Sequence, residues 1–409
     1  MFLWLSMGRA ALIAHHFWNR AGGGELVCAA FAKVFESMGL EPVLASTVKI
    51  DVSRYPEWFG IDLSGYRKID FGVELRAFGI YLRLLHSIVI KKAVKVFKPA
   101  VVFLDAPTYR RALKTIRKFG SKLVEYIHFP QEAWFMREFP EFYYKTDPYL
   151  AERYGRFPMN IYFSLFTKLL KLEVRENPFR DTDLVMANSK WTADLVKKIY
   201  GEAPVVLNPP LPPSVGVVGN PRPFDERSNT VVMVGRFSEE KRYHWVLQEV
   251  FPKLRREVGD VKLMIFGATG TKTSRAYYSR VQKLSKGFAD CVQLFENAPR
   301  SLVNSSLDSA KVFLHATVNE HWGIAVSEAM ARGLPVVVHK SGGTWSDLAS
   351  EGLYGLGYTS ADEAVEAIAK LLTDASAWRY YSEKAIEKAE QLVFIKFMEK
   401  ASSTLRKVL

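Results

Sequence analysis

The chain has 409 residues, 48% hydrophobic and 24% charged, with a formal net charge of +13. That length predicts two domains, each able to bury its own core, and the composition excludes a disordered or fibrous chain. Cys28 and Cys291 are the only cysteines, too few for a disulfide framework or a zinc finger and suited to a reducing, cytosolic setting, and no window approaches the roughly 18 to 20 apolar residues of a membrane span.

The opening Met-Phe-Leu-Trp-Leu-Ser-Met is too short for a secretory core. Ala10 to His15 reads as a strand, Gly24 to Met38 as a helix and Val43 to Ala45 as a strand. Between the first two lies Gly22-Gly23-Gly24-Glu25. Glycines there let a ligand approach the backbone, and the helix start can hold a phosphate or a sugar hydroxyl; three glycines also make a plain flexible turn, and the Rossmann spacing is absent. From Arg76 to Lys122 the chain is strongly basic and opposed only by Asp105. In the expected Arg76 to Phe97 helix, Leu82, Leu85, Ile88, Val89 and Val96 alternate with the basic positions, and a second mixed stretch runs from Phe157 to Lys171. Apolar faces rimmed by lysine suit an anionic membrane surface, and equally suit helices that cover a sheet and solvate their outer side. Zinc-finger spacing and aromatic RNA-binding signatures are missing, so no nucleic-acid partner is expected.

Ala100 to Leu104, Lys122 to Ile127, Leu184 to Ala187 and Val205 to Leu207 continue the strand series. His128 follows the second of these, at a carboxyl end where it can donate to a phosphate or sugar oxygen, carry a proton, or serve as a satisfied structural residue. Asn208-Pro-Pro-Leu-Pro-Pro then breaks the pattern. A second series starts at Thr230 and continues with Val261 to Phe266, Cys291 to Leu294, Val312 to His315, Pro335 to His339 and Leu353 to Gly355. After its first strand, Arg236 and Lys241 form a fork and a point charge suited to a diphosphate, or else a solvated basic turn paired with Glu239 and Glu240. Further on, Glu320 falls in the loop after a buried strand and Glu328 eight positions later in the Gly323 to Ala331 helix, whose first amides at Trp322, Gly323 and Ile324 can hold an anion. His315 reads as a structural histidine. Ala377 to Leu409 is a long helical stretch with few breakers.

Strand and helix alternation predicts an α/β chain of two doubly wound Rossmann-like domains facing each other across a cleft. The expected boundaries are 1–210 for a first domain, 211–228 for a linker, 229–385 for a second domain, and 386–409 for a terminal helix crossing back to the first domain.

Tyr126-Ile-His-Phe-Pro, Ala187-Asn-Ser-Lys-Trp-Thr, Val206-Leu-Asn-Pro-Pro, Gly235-Arg-Phe-Ser-Glu-Glu-Lys-Arg and Asn319-Glu-His-Trp-Gly-Ile-Ala-Val-Ser-Glu carry a resemblance over nearly the whole chain. It resembles the large retaining glycosyltransferase family of the GT-B fold that contains sucrose synthase and many mannosyltransferases. Within that family, its motifs look most like the branch of α-1,2-mannosyltransferases that extends dolichol-diphosphate oligosaccharides from GDP-mannose. The resemblance implies that Arg236 and Lys241 neutralise the donor diphosphate with help from the Trp322 to Ile324 amides. It further implies that Glu328 binds ribose hydroxyls, that Glu320 contacts the transferred sugar, that His128 lies near the reacting phosphate, and that Gly22, Gly23 and Gly24 line the donor site. No metal and no cofactor are implied beyond the nucleotide-sugar co-substrate. The implied partners are a lipid-linked or glycan acceptor and a membrane surface, with the protein peripheral on the cytosolic face. Asn208 departs from the pattern, standing where the eukaryotic lipid-linked enzyme usually carries an aromatic residue, and no N-terminal membrane helix is read. The rival readings are a transferase with a soluble acceptor and a UDP- or ADP-sugar, and a non-catalytic nucleotide-sugar or polyanion binder.

Overall fold

The computed structural model describes residues 10–72, 80–146, 150 and 154–409. The opening heptapeptide and Arg76 lie outside these. The chain divides into two compact units, one holding residues up to Asn188, Thr192–Ser214 and Phe394–Leu409, the other Ser189–Trp191 and Val215–Val393.

The first unit is built on a seven-stranded sheet of β1 (Ala10–Ala14), β2 (Glu41–Ala45), β3 (Arg67–Ile69), β4 (Val101–Leu104), β5 (Lys122–Ile127), β6 (Leu184–Ala187) and β7 (Val205–Val206), in the order β3-β2-β1-β4-β5-β6-β7. All ladders are parallel, with Ala11 beside Val101 in the β1–β4 pair and Ala10 beside Glu41 in the β1–β2 pair. The continuous apolar runs of β1 and β4 are buried throughout, because helices cover both faces of a parallel sheet. The Gly23–Ser37 helix starts after an extended Gly22 and stops where Gly39, at φ 78°, donates back to the Glu36 carbonyl, the left-handed exit that glycine permits. Its Phe31 stacks on Phe103 of β4 at 4.1 Å and meets Phe397 of the Phe394–Leu405 helix edge-on at 5.5 Å. Each fully buried phenylalanine contributes about 2 to 3 kcal/mol, so Phe397→Ala would loosen the seat of the final helix.

The second unit carries β8 (Ser228–Val234), β9 (Lys262–Gly267), β10 (Val292–Glu296), β11 (Ala310–His315), β12 (Val336–His339) and β13 (Leu356–Tyr358), all parallel, in the order β10-β9-β8-β11-β12-β13. Its core gathers Val231, Ile265, Val312, Leu314 and Val337 from the sheet with Phe251, Ile368 and Trp378 from the helices. The Trp378 indole donates to the Lys311 carbonyl at 2.8 Å, which satisfies its only polar atom in the core.

Each sheet reverses its winding once, between β1 and β4 in the first unit and between β8 and β11 in the second. At such a switch point the connections leave on opposite sides and open a crevice beyond the strand carboxyl ends.

Four features depart from the sequence reading. The edge strand β3 and the short Tyr55–Phe59 helix were not expected; β3 is an Arg-Lys-Ile run with two exposed residues and no apolar signature. The last strand is Leu356–Tyr358, not Leu353 to Gly355, because Gly352 turns the chain at φ 108° just before it. The long terminal stretch is two helices, Ala375–Glu390 and Phe394–Leu405, whose separation at Gln391 to Val393 contains neither glycine nor proline. Residues 211–214 belong to the first unit and 386–393 to the second.

Candidate functional site

At the switch point of the second unit, the loop after β8 and the loop after β11 supply one ion pair. Lys241 Nζ donates to Glu320 Oε2 at 2.5 Å, with side chains 17% and 20% exposed. Gly235 lies beneath this lysine: a Cβ there would come within 3.2 Å of Lys241 Cδ and 2.9 Å of the Tyr243 hydroxyl. His315, at the end of β11, places Nε2 3.2 Å from the same Glu320 oxygen. Burial alone would push the Glu320 carboxyl up; the Lys241 ammonium and the His315 contact outweigh it and hold the group well below the ordinary carboxylate range. Glu320 is therefore an anion at neutral pH.

The loop from Asn319 to Gly323 is held by a turn in the next βα connection. Gly343 donates to the Glu320 carbonyl at 2.7 Å, and Asn319 donates to Ser341 Oγ at 2.8 Å. A Cβ on Gly342 or Gly343 would lie 2.3 or 2.2 Å from the Glu320 or His321 carbonyl oxygen, so only glycine admits this approach. Gly323 caps the Ile324–Ala331 helix at φ 91°, with no side-chain cap on the first amides. Trp322 is buried and its indole nitrogen has no hydrogen-bond partner among the described residues. Glu328, buried one turn along, accepts from Arg300 Nη1 at 3.0 Å, with Nη2 2.9 Å from its other oxygen. Arg236 stands apart from this pair: it is 72% exposed and lies 3.3 Å from Glu240.

In the first unit the carboxyl ends of β1, β4 and β5 bring His15, Asp105 and His128 together. His15 Nδ1 is 2.7 Å from Asp105 Oδ2 and His128 Nε2 3.5 Å from the same oxygen. Burial raises the Asp105 carboxyl, but the two histidines outweigh it and the group is held well below its ordinary value. Burial likewise lowers His15, and the Asp105 carboxylate more than reverses this. Gly24 faces all three: a Cβ there would lie 3.1 Å from Asp105 Oδ2 and from His15 Cε1, and 3.7 Å from His128 Nε2. Gly22 sits under Glu25, whose carboxylate folds back over the helix start.

Residues 220–391 match the family described as Glycosyl transferases group 1. Over this stretch the chain is similar to the group 1 glycosyl transferases. Among solved structures, sucrose-phosphate synthase from Thermosynechococcus elongatus superposes with a TM-score of 0.71 over 98% of both chains at 15% identity, a likeness that shows the fold, GT-B. The GDP-Man:Man(3)GlcNAc(2)-PP-Dol alpha-1,2-mannosyltransferase of Dictyostelium discoideum is 25% identical over 72% of this chain and 60% of its own length. The human protein of the same name is 27% identical over 50% of this chain and 44% of its own length. The chain thus spans about half the length of the curated relatives it matches.

Within residues 220–391 the structure brings Lys241 and Glu320 together, a pairing across 79 residues that the sequence reading did not make, and Arg300, Ser341, Gly342 and Gly343 were missed as well. The serine and glycines after β12 carried a readable signal, the same Gly-rich strand-to-helix turn as Gly22 to Gly24. Arg300 carried none, since its link to Glu328 spans 28 residues with no shared motif. His315 is buried in β11 as expected, but its ring also serves Glu320. In the first unit His15 and Asp105 were missed as partners of His128; the one acid in a basic run was the available clue.

Proposed function

We propose that the chain is a retaining hexosyltransferase that moves mannose from GDP-mannose to a polyprenyl-linked glycan acceptor at the cytosolic face of a membrane. The observation that carries this reading is the Lys241–Glu320 pair at the β8/β11 switch point, 2.5 Å apart beside the uncapped amides of Gly323 and Ile324. A nucleotide-sugar brings two chemistries to such a place. Its diphosphate matches the Lys241 ammonium, the helix amides and the exposed Arg236 fork. Its sugar hydroxyls match the ionised Glu320. Glu328, oriented by Arg300, is a carboxylate suited to accept from ribose hydroxyls.

In the reaction the bond between the sugar C1 and the β-phosphate oxygen breaks and a bond from the acceptor hydroxyl oxygen to C1 forms on the same face. The acceptor proton passes to the departing phosphate oxygen. Lys241 and Arg236 stabilise the charge that develops on that phosphate, the largest electrostatic contribution such a site can make, and no metal is assigned to the step.

The membrane part rests on two helices of the first unit. Ile161, Leu165, Leu169 and Leu172 form one stripe of the Met159–Glu173 helix and are 59%, 52%, 36% and 71% exposed, while Phe163, Phe166 and Leu170 fill the core from the other side. A surface helix normally turns polar residues outward. Here Lys168 and Lys171 flank the apolar stripe, and Leu85, Ile88 and Val96 of the Leu82–Phe97 helix add exposed apolar area beside Lys92 and Lys95. Apolar side chains ringed by ammonium groups suit an anionic lipid surface. Among the described residues no helix is long and apolar enough to cross a membrane.

The test is calorimetric titration with GDP-mannose, UDP-glucose and UDP-N-acetylglucosamine, with Lys241→Ala alongside. Selective GDP-mannose binding that drops at least tenfold in Lys241→Ala supports the reading; a preference for a UDP-sugar redirects it to another donor, and no donor binding at all sinks it.

A further inference from the structure

Beyond the carboxyl ends of β4 and β5, against the end of the Met159–Glu173 helix, the first unit holds a cavity of about 140 Å³. Its apolar walls are Pro107, which follows β4, Phe135 of the short Gln131–Phe135 helical turn that follows β5, and Leu170 and Val174 from the end of the long helix. The polar groups beside them are already committed. Arg175, buried, gives its guanidinium to Glu125 and Glu132, and Arg110 donates through Nε to the Val174 carbonyl at 3.1 Å. What remains inside is hydrocarbon surface, which favours an apolar occupant over water.

Size and surroundings narrow the occupant. Sites for whole small molecules run from about 300 Å³ upward, so this one is too small for a nucleotide or an oligosaccharide. An apolar cavity of about 150 Å³ holds a benzene-sized group. One isoprenyl unit is of that size, and its methyl branch fills a width that a straight methylene chain leaves open. The cavity also adjoins the apolar stripe of the same helix, because the outward Leu169 and Leu172 are the immediate neighbours of Leu170 and Lys171. Lys171 stands at the rim with its ammonium over the Phe135 ring, 5.3 Å from the centre. Arg110, at the same rim, is paired with Glu176 at 2.9 Å, an exposed contact that water already weakens. Two cations at the mouth of an apolar cavity match a hydrocarbon chain with an anionic head, while Glu132 and Glu176 disfavour an anion any deeper.

We propose that this cavity holds the isoprenyl unit next to the diphosphate of the polyprenyl-linked acceptor, with Lys171 and Arg110 receiving the diphosphate at its mouth. Phe135, Leu170 and Val174 touch the chain and take no part in the chemistry. The helix that lies on the lipid surface thereby also draws the head end of the acceptor's chain out of it. The identity of that chain rests on the transferase reading; the cavity and its cationic rim do not.

The test is calorimetric titration of the full chain with farnesyl diphosphate, a short polyprenyl diphosphate used below its micelle-forming concentration, beside dodecyl diphosphate, inorganic diphosphate and GDP-mannose. Wild type should bind farnesyl diphosphate at least tenfold more tightly than either of the other two diphosphates. Val174→Phe, which fills the cavity, should weaken that binding at least tenfold. Gln131→Trp fills it from a half-exposed wall and should do the same, which covers the case in which Val174→Phe does not fold. Lys171→Glu, at an exposed position, should weaken it through the head group. Farnesyl diphosphate affinity unchanged in both cavity-filling variants overturns the proposal. Inorganic diphosphate binding equally well overturns it in favour of a plain anion site, and dodecyl diphosphate binding equally well overturns it in favour of an ordinary lipid tail. GDP-mannose binding without farnesyl diphosphate binding overturns the chain site and leaves the transferase reading standing; farnesyl diphosphate binding that the variants abolish, without GDP-mannose binding, does the reverse.

Discussion

Replacing Lys241 by methionine keeps the stem and deletes the ammonium, which leaves the Glu320 carboxylate beside the His315 ring at 3.2 Å. Removing one partner of a buried pair costs about 3 to 5 kcal/mol; with roughly a fifth of each side chain exposed, solvent screening brings this to about 2 kcal/mol. For a unit of this size that is a fall in melting temperature of about 4 to 8 °C. The pH dependence carries more information. In the wild type the depressed Glu320 carboxyl contributes stability that is fully present above the unfolded value of about 4.3 and is lost as pH falls through its lower folded value. In Lys241→Met burial raises the carboxyl instead, so the penalty of holding a stranded charge is relieved on acidification. The stability gap between the two proteins should narrow from pH 7 towards pH 4. Thermal melts by circular dichroism across that range measure it, and Glu320→Gln added to Lys241→Met should recover part of the loss. A gap independent of pH, or no recovery in the double variant, would refute the claim that Lys241 holds Glu320 ionised.

Three further outcomes are expected. Gly323→Ala should destabilise by about 1 to 3 kcal/mol in urea denaturation, since the residue sits at φ 91° and its new Cβ would lie 2.5 Å from Thr344 Cγ2. Arg175→Met strands Glu125, whose side chain is 2% exposed, and should cost about 3 to 5 kcal/mol, whereas pairing it with Glu125→Gln should return most of that; an additive double variant would show that the pair is not coupled. Ile161→Glu combined with Leu165→Glu should abolish flotation with anionic liposomes at low salt while leaving the melting temperature unchanged, because both side chains are more than half exposed.

How much of this was legible in the sequence follows from how local each signal is. Central strands such as β1 and β11 announce themselves because both faces are covered, which writes an unbroken apolar run. Edge strands do not: β3 is three residues, two of them exposed. The candidate site divides in the same way. Glu320 and Glu328 lie on one βα connection, so their spacing is a sequence property, and the turn chemistry of Gly235 and Gly323 marks where the backbone must bend. The partners that tune these groups come from afar: 79 residues separate Lys241 from Glu320 and 90 separate His15 from Asp105. Pairings of that kind are set by strand order, which no local pattern encodes. The apolar stripe of Ile161, Leu165 and Leu172 was visible as composition, but which side of the helix faces outward emerged only from the packing of Phe163 and Phe166.

The Phe394–Leu405 helix belongs to the first unit although it follows the second unit in the chain. Domains ordinarily fold in the order of their synthesis, the amino-terminal one first. Here that order is reversed for part of the molecule. The second unit is nearly continuous from Val215 to Val393 and can close before the Phe394–Leu405 helix is made, whereas Phe31 has to wait for Phe397. During that interval Phe31 on the Gly23–Ser37 helix lacks its Phe397 neighbour, so the first unit is completed only after the second.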